Sequence, residues 1–307
     1  MSAALETEAA VATAGGVART GPERPAAAGA REEIAVVAAR GVRPWWDAMW
    51  GIVRRDAILF TSYRTQLVAQ FVGPLFSIAL FYYISRLLTA KSIHSPGGYF
   101  GFVIVGLVIV QILTVSLGVM PVVVRQELVA GTIERFLVSA HGPVNGILGT
   151  MLFPLCSALF TGVVMLVLAG LLFGLPLAPT AVLAVPVVLL GVLAFLPFAF
   201  ILVALVMAVK QITSATQFII SGISIVGGLY FPIAVLPGWI RWASEVQPFT
   251  PAADLLRHLL VGTPLQHSAT VDLLKLVGYV AVLLPAGFLL LRVAIRHGQR
   301  TGTVAEY

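Results

Sequence analysis

The sequence predicts an all-α, polytopic membrane protein with six transmembrane helices, an N-terminal interfacial helix and short outer re-entrant helices. Three observations carry that expectation. Hydrophobic residues make up 59% of the 307-residue chain and charged residues only 10%, far below the ~25% charged that is usual in soluble domains. Five runs, at 67–85, 99–124, 147–209, 212–240 and 276–291, contain no Asp, Glu, Lys, Arg or His, and a helix needs about 20 such residues to cross a bilayer. The run 147–209 is too long for one crossing: at ~1.5 Å per residue it would exceed a ~30 Å hydrocarbon core threefold. The stretch GLPLAPT at 174–180 supplies the glycine and prolines for a hairpin in its middle, which brings the expected number of spans to six.

Taken in order, residues 1–40 are rich in Ala, Gly, Glu and Arg, lack the apolar core of a signal peptide, and read as a disordered cytoplasmic tail. The transmembrane domain is expected over 41–300. It opens with WWDAMWGIVRRDAILFTSYR at 45–64, whose mixture of aromatic, basic and aliphatic residues suits a helix lying in the headgroup plane. Spans follow near 67–88, 99–122, 147–173, 181–209, 212–231 and 270–293, with a short cytoplasmic tail at 301–307. An even number of spans puts both termini on one side. Arginine and lysine are concentrated in the flanks that would share that side with the N-terminus, which predicts cytoplasmic termini by the positive-inside rule. The segment 231–269 then faces outward, and its proline-bounded, amphipathic pieces LPGWIRWASEVQPF and PAADLLRHLLVG are expected to cap the bundle, with Trp239, Trp242 and Phe249 at headgroup level. The formal net charge of +6 is explained by these flanks without invoking nucleic acid.

Several chemistries find no residues to carry them. The lone cysteine, Cys156, falls inside the third span, where packing is its expected role. The five histidines are scattered, with no pair at metal-ligand spacing, and none can serve Ser224 as a catalytic base. None of the expected spans holds the ionisable group that ion-coupled carriers keep near the bilayer centre. A phosphate-cradling GxxxxGK[ST] loop is missing too, so no ATPase site of its own and no bound cofactor are expected. What remains is a polar, uncharged stripe. Ser214, Gln217, Ser221 and Ser224 recur at intervals of 3, 4 and 3 on one helical face, and Gln111, Thr114 and Gly118 form a smaller counterpart in the second span. Two readings stay open and are compatible: close helix packing, or a weakly polar path for an amphipathic solute.

Between the second and third spans lies ELVAGTIERFLVSA, Glu127 to Ala140. As a helix it sets Val129, Ile133, Phe136, Leu137 and Ala140 on an apolar side, while Glu127, Gly131, Glu134, Arg135 and Val138 point the other way. The longer stretch RQELVAGTIERFLVSAHGPVNGILGTML resembles the E-x-x-x-GT-[LI]-E-x-L-x-x-[ST]-[PA] segment of type 2 ABC exporter permeases. GLYFPIAVLPGWIRWASEVQPFTPAADLLRHLL is similar to a second landmark of the same family, G-x-[FY]-[FY]-P, then LP-x-W, then N-P-[FL]-T and an acidic or polar residue ahead of Leu-Arg. Gln247 stands where the family often has Asn, and Ala140 where it usually has Pro.

The resemblance covers residues 45–295. It implies the membrane subunit of a drug-resistance-like exporter, working with a separate ABC ATP-binding subunit that holds ATP and Mg, and with a second permease copy, as a homodimer, in the cell (cytoplasmic) membrane. It also implies an ATPase-coupling role for Glu127, Gly131, Thr132, Glu134, Arg135 and Phe136, and a substrate path along spans two and five, where Gln111, Thr114, Ser214, Gln217, Ser221 and Ser224 lie. The expected cargo is an amphipathic compound such as a drug, antibiotic or lipid. The alternative is a membrane scaffold or assembly factor that transports nothing.

Overall fold

The computed structural model describes residues 43–87, 98–130, 142–209 and 213–301, and every regular element among them is helical. The chain divides into two units, Met1–Trp46 and Asp47–Tyr307. Of the first unit only residues 43–46, in the opening turn of α1, are described, so the expected tail at 1–40 lies outside the described residues. The second unit holds the rest of α1 (Arg43–Ser62), α2 (Arg64–Leu87), α3 (Gly98–Val129), α4 (Gly142–Phe173), α5 (Ala184–Val209), α6 (Thr213–Val226), α7 (Gly238–Val246), α8 (Phe249–Val261) and α9 (Ala269–Thr301).

Five of these helices, α2, α3, α4, α5 and α9, are long and apolar enough to cross a membrane. The expected fifth span, 212–231, is instead the 14-residue α6, about 21 Å long and short of a ~30 Å core. Hydropathy continues through 240 without a charge, so composition hides the break. The backbone makes it: Gly228 adopts φ 66°, a conformation a side chain would strain. The amides of Gly227 and Leu229 donate back to the carbonyls of Ile223 and Ser224, at 2.7 and 3.1 Å. The hairpin after α4 is built the same way, with Gly174 at φ 67° and a 3-10 turn over Pro179–Leu183 leading into α5.

α3 is the axis of the bundle. Every residue from Phe100 to Ile109 is buried, and the helix packs against α2, α4, α5, α6 and α8. Along α5 runs α9, close enough that a Cβ on Gly287 would meet the Pro197 backbone at 2.9 Å. By contrast, α2 and α9 present Val72, Phe76, Leu80, Val282 and Leu289 outward. Apolar side chains on the outside are what a hydrocarbon solvent requires, since there is nothing polar for them to avoid.

Two expectations for single residues, Phe249 and Cys156, are corrected. Phe249 is not at a headgroup surface but fully buried, its ring 4.5 Å from Phe195 and 5.4 Å from Phe198. Trp239 and Trp242, on the amphipathic α7, are exposed. Cys156 is exposed on α4 rather than packed inside.

Candidate functional site: two clefts along one helix

Halfway along α3 the α-helical ladder loosens into a π turn at Val115–Val119, immediately before Pro121. Proline has no amide proton to give to the regular ladder, and π turns of this kind recur where helices carry function. A cleft lies on either side of the turn. The larger, about 620 Å³, is lined by Arg55, Phe60, Gln70, Gln111, Glu127 and Ser157 among others, from α1 to α4. Within it Gln70 Nε2 donates to Ser157 Oγ at 2.8 Å and to Thr161 Oγ1 at 2.6 Å, so α2 and α4 are tied by neutral polar groups. The smaller, about 240 Å³, lies between α3, α5 and α6 and is lined by Thr114, Gly118, Arg125, Thr216 and Gln217 with Val119, Val122 and Val206.

The expected path residues are therefore split. Thr114 and Gln217 share the smaller cleft, while Gln111 lines the larger. Three residues apart on a helix means about 60° of rotation, enough for neighbours of a crowded central helix to divide them. Thr114 also donates to the Val110 carbonyl at 2.7 Å. On α6, Ser221 is exposed beside Gln217, whereas Ser224 is buried and donates to the Ile220 carbonyl at 2.7 Å, which is the packing role rather than the path role. The side chain of Ser214 lies outside the described residues. Thr216 and Arg125 line the cleft without having been singled out by the polar stripe: Thr216 is one position off its register, and Arg125 reads from sequence as an ordinary flanking charge.

Of the expected coupling residues, Gly131, Thr132, Glu134, Arg135 and Phe136 lie outside the described residues. Glu127 is described, and its setting differs from the expected free face. The second span does not end near 122; α3 runs on to Val129, so Glu127 sits in its last turn rather than at the start of a separate helix. Its Oε1 accepts from Arg55 Nη2 at 2.9 Å, and Arg55 Nε donates to Asp56 Oδ1 at 2.8 Å. Burial lowers the Arg55 pKa, but the hydrogen bonds and charges of Asp56 and Glu127 outweigh it and raise the value. Val129, expected to rest on the bundle, is exposed. The result is an ion pair that fastens α1 to the end of α3.

About 30 Å away along α3, a different polar arrangement closes the bundle. Arg257 on α8 is buried, its guanidinium 3.5 Å from the centre of the Phe102 ring. Nε donates to the Phe102 carbonyl at 3.1 Å, and Nη2 to the carbonyls of Gly228 and Leu229, each at 2.9 Å. It thereby satisfies the carbonyls freed where α6 ends. Gly106 makes room for this: a Cβ there would run into the Leu229 carbonyl oxygen. Nearby, Asp254 accepts from the Gln266 amide at 2.8 Å and lies in one small pocket with Asp272, His267 and Lys275. In the sequence Asp254 and Arg257 belong to the second family landmark, as an acidic residue ahead of Leu-Arg, but Arg257 counts there only as one more external charge and its capping role is not legible.

Geometry alone does not name the family of a long central helix lined by polar clefts, and comparison with known families does. The family profile described as ABC-2 type transporter matches residues 47–261. The chain belongs to the ABC-2 type transporter family. It is thus a multi-pass membrane protein that carries the membrane domain of an ABC-2 type transporter. Among curated proteins it is similar to "Nodulation protein J" of Rhizobium meliloti (strain 1021), with 30% identity over 84 residues. That stretch is 27% of this chain and spans 32%, about a third, of the length of the relative. In this ABC-2 chain the matched region takes in α3, both clefts and the Arg257 cap.

Proposed function

We propose that this chain is the permease half of an ATP-driven exporter that moves an amphipathic compound, such as a drug, antibiotic or lipid, out across the cytoplasmic membrane. ATP and Mg are held by the ATP-binding partner, and a second copy of the chain completes the passage as a homodimer. Both termini are cytoplasmic in this reading, and no nucleic acid is involved. The observation that carries it is the continuity of α3. One helix, Gly98–Val129, lines both clefts and carries Glu127 in its last turn, directly before the segment that holds Gly131, Thr132, Glu134, Arg135 and Phe136. A stiff helix with a π turn midway can convey a partner's push at its end to the walls of the clefts. The cleft linings suit an amphipathic cargo, being mainly aliphatic with Gln, Thr and Ser placed among them.

The test uses the chain reconstituted with its ATP-binding partner in lipid vesicles. Phe136→Ala and Glu134→Ala are expected to lower both transport and permease-stimulated ATP turnover while the chain still inserts in the membrane. Turnover equal to that of the unaltered protein, or solute movement without any nucleotide-hydrolysing partner, would overturn the reading. The scaffold alternative predicts no solute movement under any of these conditions.

A further inference from the structure

Among the described residues, the smaller cleft contains a charge with no counter-charge. Arg125 is half-buried, its Nε is enclosed, and no hydrogen-bond partner reaches that atom. The carboxylate nearest in sequence, Glu127, is engaged by Arg55 and lines the other cleft. Among the described residues no carboxylate lines the cleft that Arg125 faces. Leaving a guanidinium partly desolvated without an anion is costly, and the cost disappears when an anion arrives with its own hydrogen-bond acceptors.

Position along α3 says what kind of anion. The helix has 32 residues, about 48 Å, which exceeds a ~30 Å hydrocarbon core. Arg125 lies about one turn from its end and so at headgroup level, whereas Thr114 lies about 16 Å deeper. Between them the wall is Val119 and Val122, faced by Val206, with Thr216 and Gln217 as neutral polar groups. At about 240 Å³ the space is below the ~300–1,000 Å³ of pockets that enclose a whole drug-sized ligand. It fits an acidic head and the adjoining part of a chain whose remainder stays in lipid.

We infer that the cleft between α3, α5 and α6 binds an amphiphile with an acidic head, a phosphate or carboxylate, with Arg125 as its anion ligand and Gln217 as a hydrogen-bonding neighbour. This rests on the exporter reading only for whether the amphiphile is cargo; a resident lipid would use the same contacts.

The experiment uses the full-length chain in phosphatidylcholine nanodiscs and a photoreactive 16-carbon lysophosphatidate, with a neutral monoacylglycerol of equal length and inorganic phosphate as competitors. Lysophosphatidate is expected to bind about tenfold or more tighter than the monoacylglycerol, and to label α3 and α6. R125Q should erase that preference, R125K should restore most of it, and V122F, which fills the cleft without changing charge, should weaken binding of the whole lipid. An undiminished preference in monodisperse R125Q, or labelling confined to other helices, would overturn the inference. So would displacement by inorganic phosphate as effective as by the lipid itself, since the chain would then contribute nothing. Stimulation of ATP turnover in the complex with the ATP-binding partner separates cargo from resident lipid. Failure to find such a partner would sink the exporter reading and leave the binding result standing.

Discussion

The two ends of α3 use arginine in opposite ways. At one end Arg55 is partly exposed, pairs with Asp56 and Glu127, and borders a wide cleft. At the other Arg257 is buried, spends its donors on three backbone carbonyls, and lies against an aromatic ring with α8 closing over it. An exposed ion pair is screened by water and contributes ~0–1 kcal/mol. A buried cation bonded to carbonyls is a different object, because removing it orphans several acceptors at ~1–3 kcal/mol each. The difference teaches that the Arg257 end is the costlier one to break and the Glu127 end the cheaper. In the proposed mechanism, a permease driven from one side would use that asymmetry: a wall that yields where it is pushed and a cap that does not.

The largest expected effect follows from the cap. Arg257→Met should destabilise the solubilised chain by on the order of 3 kcal/mol or more, since the Phe102, Gly228 and Leu229 carbonyls lose their donor. Thermal unfolding in a mild detergent reads this out, and an unchanged Tm would break the contrast between the two ends. Gly106→Ala comes next, at ~1–3 kcal/mol, because its methyl group would displace the Leu229 turn from α3. The same melt measures it.

At the other end the expectation reverses. Glu127→Gln should shift stability by less than about 1 kcal/mol, with the Arg55 side chain 43% exposed, yet change permease-stimulated ATP turnover in the complex. A large drop in Tm would show that this contact is a structural clamp like the other. The smallest effect is expected from Gln217→Leu, which leaves folding intact and changes which amphipathic compounds stimulate turnover, as a panel of compounds would reveal. Orientation is tested separately: in a Cys156→Ser background, Ser92→Cys should react with an impermeant thiol reagent from outside, and Ser139→Cys only after permeabilisation.

Sequence reading reached the helices further than it reached their ends. The charge-free runs locate five spanning helices, and Gly174 with its prolines marks one hairpin. The end of α6 was hidden because no charge interrupts 212–240, and only the Gly227–Gly228 pair hints at it. The end of α3 was hidden for the opposite reason: Arg125 reads as a flanking charge and Glu127 as the start of a separate amphipathic helix, yet the ladder continues through them to Val129. Within the candidate site, the spacing of polar residues on α6 found Gln217 but also selected Ser224, whose hydroxyl turns back to its own helix. Periodicity gives a face and cannot say which neighbour covers it.

By itself, then, the sequence determined that this chain lives in a bilayer and which stretches of it are helical there. Each segment partitions by its own composition, so that decision is local. Only the tertiary structure decided that Arg257 is a cap, that Arg125 faces a cleft with no carboxylate among the described residues, and that Glu127 is half of an ion pair. The partners of Arg257 lie up to 155 positions away, and Glu127 meets Arg55 across 72. Whether a charge is solvated, paired or left waiting depends on segments that folding brings beside it, and no local pattern carries that information.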